Sequence, residues 1–121
     1  MSRVTDDILE RTMEFASAIA RFRMSLPNNR QEVKMLGDRL LQAGTSVAAH
    51  ARDALLSRSD AERCSRLEGA IQQADESMLC LEMLQDDCAI SQSSLGNLRQ
   101  EADAIIATFA SILSRIGGRS L

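Results

Sequence analysis

With 121 residues, one Pro, no Trp or Tyr and three Phe, the chain is sized for one domain around one core. It is too poor in β-branched and aromatic residues for period-two strands. Its formal net charge of −3, with acids and bases interspersed, argues against the basic face that non-specific nucleic-acid binding needs. No apolar run approaches the ~18 residues of a membrane span, and the opening MSRVTDDILE is too acidic for a signal peptide. Cys64, Cys80 and Cys88 are odd in number and lack paired spacing. That argues against a disulfide framework or a zinc site and suits a reducing compartment, so the expected location is the cytoplasm.

The punctuation predicts four helices and an all-α fold. A first helix is expected over 7–25, with Thr5, Asp6 and Asp7 as caps and first-turn acids. Ile8, Phe15, Ile19, Phe22 and Leu26 share its core face, and Pro27, Asn28 and Asn29 stop it. A second helix is expected over 31–57. Within it, LLQAGTSVAAHARDALLS (40–57) contains no breaker, and its apolar and small residues cover about half the circumference. A surface helix needs an apolar arc of only ~100° or a little more. The second helix is therefore expected to be buried on two sides, with Gly37 and Gly44 letting a neighbour approach.

A third helix is expected over 60–86, opening on a capping box of Ser59 and Glu62. Its core face is Cys64, Leu67, Ile71, Ala74, Met78 and Leu81. The polar linker DDCAISQSS leads to a fourth helix over 93–116. There Leu95, Leu98, Ala102, Ile105, Phe109, Ile112 and Ile116 keep a 3,4 spacing, and Gly117 and Gly118 are read as its stop. Short connections leave no room for a crossover, so residues 1–121 read as a single antiparallel up-down-up-down four-helix bundle.

More apolar surface is present than such a bundle hides. On the first helix, Leu9, Met13, Ala16, Ala20 and Met24 form a second stripe. On the second helix, Leu41, Ala48 and Leu55 lie beyond the seam, and Leu79 and Met83 add to the third. Scattered apolar surface is ordinary, but stripes call for a partner. The first two sets are the expected homo-oligomer interface.

Chemistry has little to work with. The single His50 sits at the border of the second helix's apolar arc, where a half-buried, hydrogen-bonded interface role is the simplest one. HxxxH, CxxC and ExxH patterns are absent, so no catalytic residue, metal ligand or cofactor site is assigned. Arg52, Arg58, Arg63 and Arg66 cluster around the turn between the second and third helices, interleaved with Asp53, Asp60, Glu62 and Glu68. A solvated, salt-bridged surface is the plain explanation. With His50, residues Arg52, Asp53, Arg58, Arg63 and Arg66 are the candidates for contact with a protein or RNA partner.

The run AGTSVAAHARDA (43–54), the Leu26–Pro27 element before it, and Arg66, Leu67, Ala74, Glu76 and LEML (81–84) after it resemble the four-helix-bundle proteins of the 23S rRNA intervening-sequence family. The match follows nearly the whole chain in order and spacing. It departs at His50 and Ala51, where the family usually has Asn and Ile, at Asp53, where it has Glu, and at Cys80, where an aromatic is common. The resemblance implies a homopentameric ring of bundles, encoded in some bacteria within 23S rRNA gene insertions, a family for which no enzymatic activity is established. More distantly, the chain is similar to the accessory variability factor of diversity-generating retroelements, a basic pentamer that binds nucleic acid; the acidic balance here weakens that parallel. The expected function is a non-enzymatic assembly or adaptor role, with a nucleic-acid-binding accessory protein as the alternative.

Overall fold

The computed structural model describes residues 3–120, with side chains from Asp7 to Gly117. Four helices, α1 (Arg3–Ser25), α2 (Gln31–Leu55), α3 (Asp60–Asp86) and α4 (Ser93–Ser120), account for its regular structure, and no strand occurs among the described residues. Neighbouring helices run antiparallel, as their partners show. Arg23 pairs with Asp38 and Met13 lies against Arg52 on α1 and α2. Across α2 and α3, Arg39 pairs with Glu76 while His50 lies against Gly69. Each helix touches two others, α2 and α3 most extensively and α1 and α4 least. Among the described residues the diagonal pairs α1/α3 and α2/α4 do not meet.

The core is the set of side chains that the helical period aligns. Phe15, Ile19 and Phe22 from α1 meet Val33, Leu40 and Val47 from α2, Leu67, Leu81 and Leu84 from α3, and Leu95, Ile105 and Phe109 from α4. Each such burial stabilises the fold by about 1.5–3 kcal/mol, against ~0–1 kcal/mol for an exposed ion pair such as Arg11–Glu101. Apolar packing therefore decides the fold. Two hydroxyls go into the core satisfied: Thr12 donates to the Ile8 carbonyl at 3.0 Å and Ser77 to the Gln73 carbonyl at 2.9 Å.

Helix α2 is the element others close on. A Cβ at Gly44 would lie 3.0 Å from both Cγ1 and Cγ2 of Ile19, and one at Gly37 would lie 2.7 Å from Cδ of Arg23. Arg23 is a flexible side chain and can give way. Ile19 is fully buried and β-branched and has nowhere to go. Gly44 thus sets how near α1 comes to α2.

Helix α3 starts as its capping pattern implies, with Ser59 Oγ accepting from the Glu62 N–H at 3.1 Å. The Glu62 carboxylate reaches back one residue further than the usual box and accepts from the Arg58 N–H at 3.3 Å. After α3, Cys88 and Ile90 tuck under the bundle, and Ala89 takes φ 58° between them. That left-handed position costs a non-Gly residue roughly 1–2 kcal/mol. The Ile90 N–H bond to the Leu84 carbonyl and the Arg30 guanidinium bond to the Cys88 carbonyl hold it.

Three boundaries differ from expectation. Helix α1 begins at Arg3, so Thr5, Asp6 and Asp7 lie inside it instead of capping it at residue 7. Helix α2 ends at Leu55 rather than 57, where the Leu56 and Ser57 N–H groups close a final turn on carbonyls 52 to 54. Helix α4 runs through Gly117 and Gly118 to Ser120. No described glycine has positive φ, so neither one makes the left-handed stop, and the buried Ile116 fastens the turn from which the helix continues.

Substituting Leu for Gly44 should destabilise the chain by about 1–3 kcal/mol through overpacking against Ile19. Thermal unfolding monitored by circular dichroism checks this. An unchanged or raised melting temperature would contradict the packing described.

Candidate functional site

His50 projects from α2 toward α3, where Gly69 leaves room for its ring. A Cβ at Gly69 would sit 3.1 Å from Cε1 and Nδ1 of the imidazole and 3.3 Å from Nε2. Three near-equal distances mean that the ring lies flat on the α3 backbone. It is half-buried at a helix interface, as the sequence implied, but the expected hydrogen bond is missing at one nitrogen: Nδ1 is buried and has no partner among the described residues. No group of three His, Cys, Asp or Glu side chains that could hold a metal occurs among the described residues.

The cysteines are packing residues. Cys80 and Cys88 are 2% and 3% exposed and Cys64 is half-buried. Burial pushes the Cys80 thiol up from its ordinary value; the nearby Arg39 guanidinium pulls it down and Glu76 pushes it up again. A raised value keeps the neutral thiol and withholds the thiolate that nucleophilic chemistry uses.

The basic cluster divides in two. Arg63 is held by Asp60 at 3.0 Å across one helical turn. Arg52, Arg58 and Arg66 are exposed and make no ion pair among the described residues, and Asp53 beside them is exposed too. Arg52 lies instead over the apolar stripe, its Nη2 3.9 Å from Sδ of Met13.

Of the expected interface residues, the structure separates those that the chain covers itself from those it leaves out. Ala48 is only 7% exposed, so it is not surplus apolar surface. Leu9, Ala16, Ala20, Leu41 and Leu55 are half-buried along the same flank. Met13 and Met24 stay out, at 46% and 83% exposure. Sequence reasoning missed Met35 and Leu56, which are also exposed, and named Leu79 and Met83 on α3 without placing them in the interface. For Leu56 the signal was its position just past the helix end, where the apolar face no longer has a neighbour.

A groove of about 770 Å³ follows the seam between α1 and α4, flanked by Arg11, Glu14, Arg21, Gln92, Asn97 and Glu101. It marks where two helices that barely touch diverge. The Arg11–Glu101 pair spans it at 2.6 Å, and at its end Ser25 Oγ donates to the Gln92 side chain at 2.8 Å. Its floor of Phe15, Phe22 and Leu98 is already 1–5% exposed, so a guest would gain little apolar burial there.

No protein-family model and no curated protein matches this chain. Four solved chains are similar to it. One is a protein of unknown function from the S23 ribosomal protein family of Bacteroides thetaiotaomicron VPI-5482. It is 24% identical, with a TM-score of 0.82 over 91% of this chain and 97% of that one. At that identity the two share the fold, and the family to which that protein is assigned is consistent with the resemblance carried by AGTSVAAHARDA.

A thiol reagent added to the folded protein should modify Cys64 first and reach Cys80 and Cys88 only on unfolding. Counting released chromophore with and without denaturant checks this. Three fast thiols under native conditions would contradict the burial described.

Proposed function

We propose that this chain is a non-catalytic assembly or adaptor module that works as a homo-oligomer and presents a composite surface to a protein or RNA partner. The observation that carries the reading is a completed internal core coexisting with Met24, Leu79, Met13 and Met83 exposed on outer faces. Those side chains leave much of their apolar surface uncovered by the chain itself. A specific interface of ~800 Å² per partner needs an apolar centre of this kind. Five subunits in a ring is the form implied by the resemblance to the intervening-sequence family, and the same resemblance supports a role without chemistry. A cytoplasmic setting accords with three cysteines that make no disulfide among the described residues and with the lack of any described helix long and apolar enough to cross a membrane.

The nucleic-acid reading retains one favourable observation, the exposed Arg52, Arg58 and Arg66 without ion pairs. Against it stand the net charge of −3 and only three aromatics. All three, Phe15, Phe22 and Phe109, are buried where no base can stack on them.

Light scattering at micromolar concentration should give a multiple of the 13.3 kDa chain mass, and RNA should bind weakly or not at all at ~150 mM salt. A mass of one chain would overturn the proposal. Sub-micromolar RNA affinity at that salt would put the accessory nucleic-acid role first.

A further inference from the structure

The outer ridge of α3 is one stripe of exposed side chains at helical spacing. Glu68, Gln72, Asp75, Leu79, Met83 and Asp86 follow one another three or four residues apart, and all six are exposed. Leu79 and Met83 put 50% and 36% of their surface into solvent. Glu68, Asp75 and Asp86 make no ion pair among the described residues. From Leu67 to Leu98 the chain has six acids and no base. The bases that reach α3 come from its neighbours and stay on its flanks: Arg39 of α2 pairs with Glu76, and Arg99 of α4 with Glu82 at 3.9 Å. The stripe between those flanks is therefore anionic and partly apolar over 68–86, about 27 Å at 1.5 Å per residue.

Charge narrows what can cover it. Phosphates, whether of a nucleic acid or of an anionic membrane, are repelled by a row of carboxylates. A second copy of this chain is a poor match as well. Ridge against ridge sets acid on acid. The arginine cluster of another copy, Arg52, Arg58 and Arg66, stands among Asp53, Glu62 and Glu68, and α1 sets Glu10 and Glu14 beside Met13. What complements the stripe is a segment with an apolar edge and cations beside it, of about the same length.

We propose that the α3 ridge docks a basic amphipathic helix of another protein, with apolar side chains on Leu79 and Met83 and Lys or Arg against Glu68, Asp75 and Asp86. The inference deepens the adaptor reading above by naming the partner. Helix α3 is diagonal to α1 and does not touch it among the described residues, and the expected subunit interface lies on α1 and α2, so an assembled protein keeps the ridge outward. Two apolar side chains make a small centre, and much of the attraction is between exposed charges. The contact is accordingly of the transient kind and weakens as salt rises.

The probe is a synthetic helical peptide of about 18 residues with a leucine stripe flanked by lysines, and its counterpart with glutamates in place of the lysines. Binding to the full chain is read by fluorescence anisotropy at ~150 mM salt. The lysine peptide should bind at least about tenfold more tightly than the glutamate one. Glu68→Gln with Asp75→Asn and Asp86→Asn should weaken it by about tenfold, as should Leu79→Gln with Met83→Gln. Asp7→Asn with Glu10→Gln and Glu14→Gln removes the same charge from exposed positions on α1 and should change it by no more than about twofold. All of these positions are exposed, so the variants should keep the wild-type helical signal. Equal loss from both acid triples would reduce the binding to net charge and overturn the proposal. So would a wild type that ignores the lysine peptide, one that binds a single-stranded RNA through the ridge instead, or ridge variants whose mass by light scattering falls, since the ridge would then be a contact between copies. A wild type that is monomeric and still binds the peptide through the ridge would overturn the oligomeric reading alone.

Discussion

Ile19, with no solvent exposure, lies where a Cβ on Gly44 would come within 3.0 Å of two of its side-chain carbons. That single close approach draws α1 onto α2, and the rest of the bundle depends on it. Glycine inside a helix costs about 1 kcal/mol relative to alanine, yet α2 keeps glycine at 37 and 44, both buried. Packing Ile19 and Leu26 flat against the α2 backbone offsets the cost. With α1 held there, Arg23 reaches Asp38 at 2.8 Å. The flank containing Leu9, Ala16 and Ala20 is half covered, and Met13 and Met24 are left outside. Opposite, Gly69 does the same for His50, and α3 closes on the other side of α2.

Much of this was legible in the sequence because the helical period survives in every element. Ile8, Phe15, Ile19, Phe22 and Leu26 line the core face of α1, and the 3,4 run of α4 from Leu95 to Ile116 faces inward throughout. The bounds of α3 match because Ser59 is a strong start signal and the polar linker a clear stop. Helix ends with weaker signals were misread. Gly117 and Gly118 look like a terminator only if one of them enters the left-handed region, and local sequence does not decide that. Among the described residues Ala89, a residue with no special preference for positive φ, is the one that does so, held by the nearby Leu84 carbonyl and by Arg30, which is remote in the chain.

The candidate surfaces were legible only in part. A stripe on a helical wheel shows that residues share a face, but not which neighbour covers it. Ala48 reads as surplus on the wheel and is only 7% exposed. The basic cluster reads as one patch, yet Arg63 is held by Asp60 while Arg52 turns toward Met13. The groove between α1 and α4 depends on how far apart the two helices sit, which neither helix's own pattern announces.

The dependence of the bundle on the Ile19–Gly44 contact can be measured directly by a double-mutant cycle of Gly44→Ala and Ile19→Ala, using denaturant unfolding. If the glycine is kept for closeness, the alanine at 44 should be markedly more favourable in the Ile19→Ala background. There its helix propensity of about 1 kcal/mol is no longer opposed by a rigid side chain, and a coupling of about 0.5–3 kcal/mol should separate the two backgrounds. An effect of Gly44→Ala that is the same with and without Ile19, to within ~0.3 kcal/mol, would contradict the account.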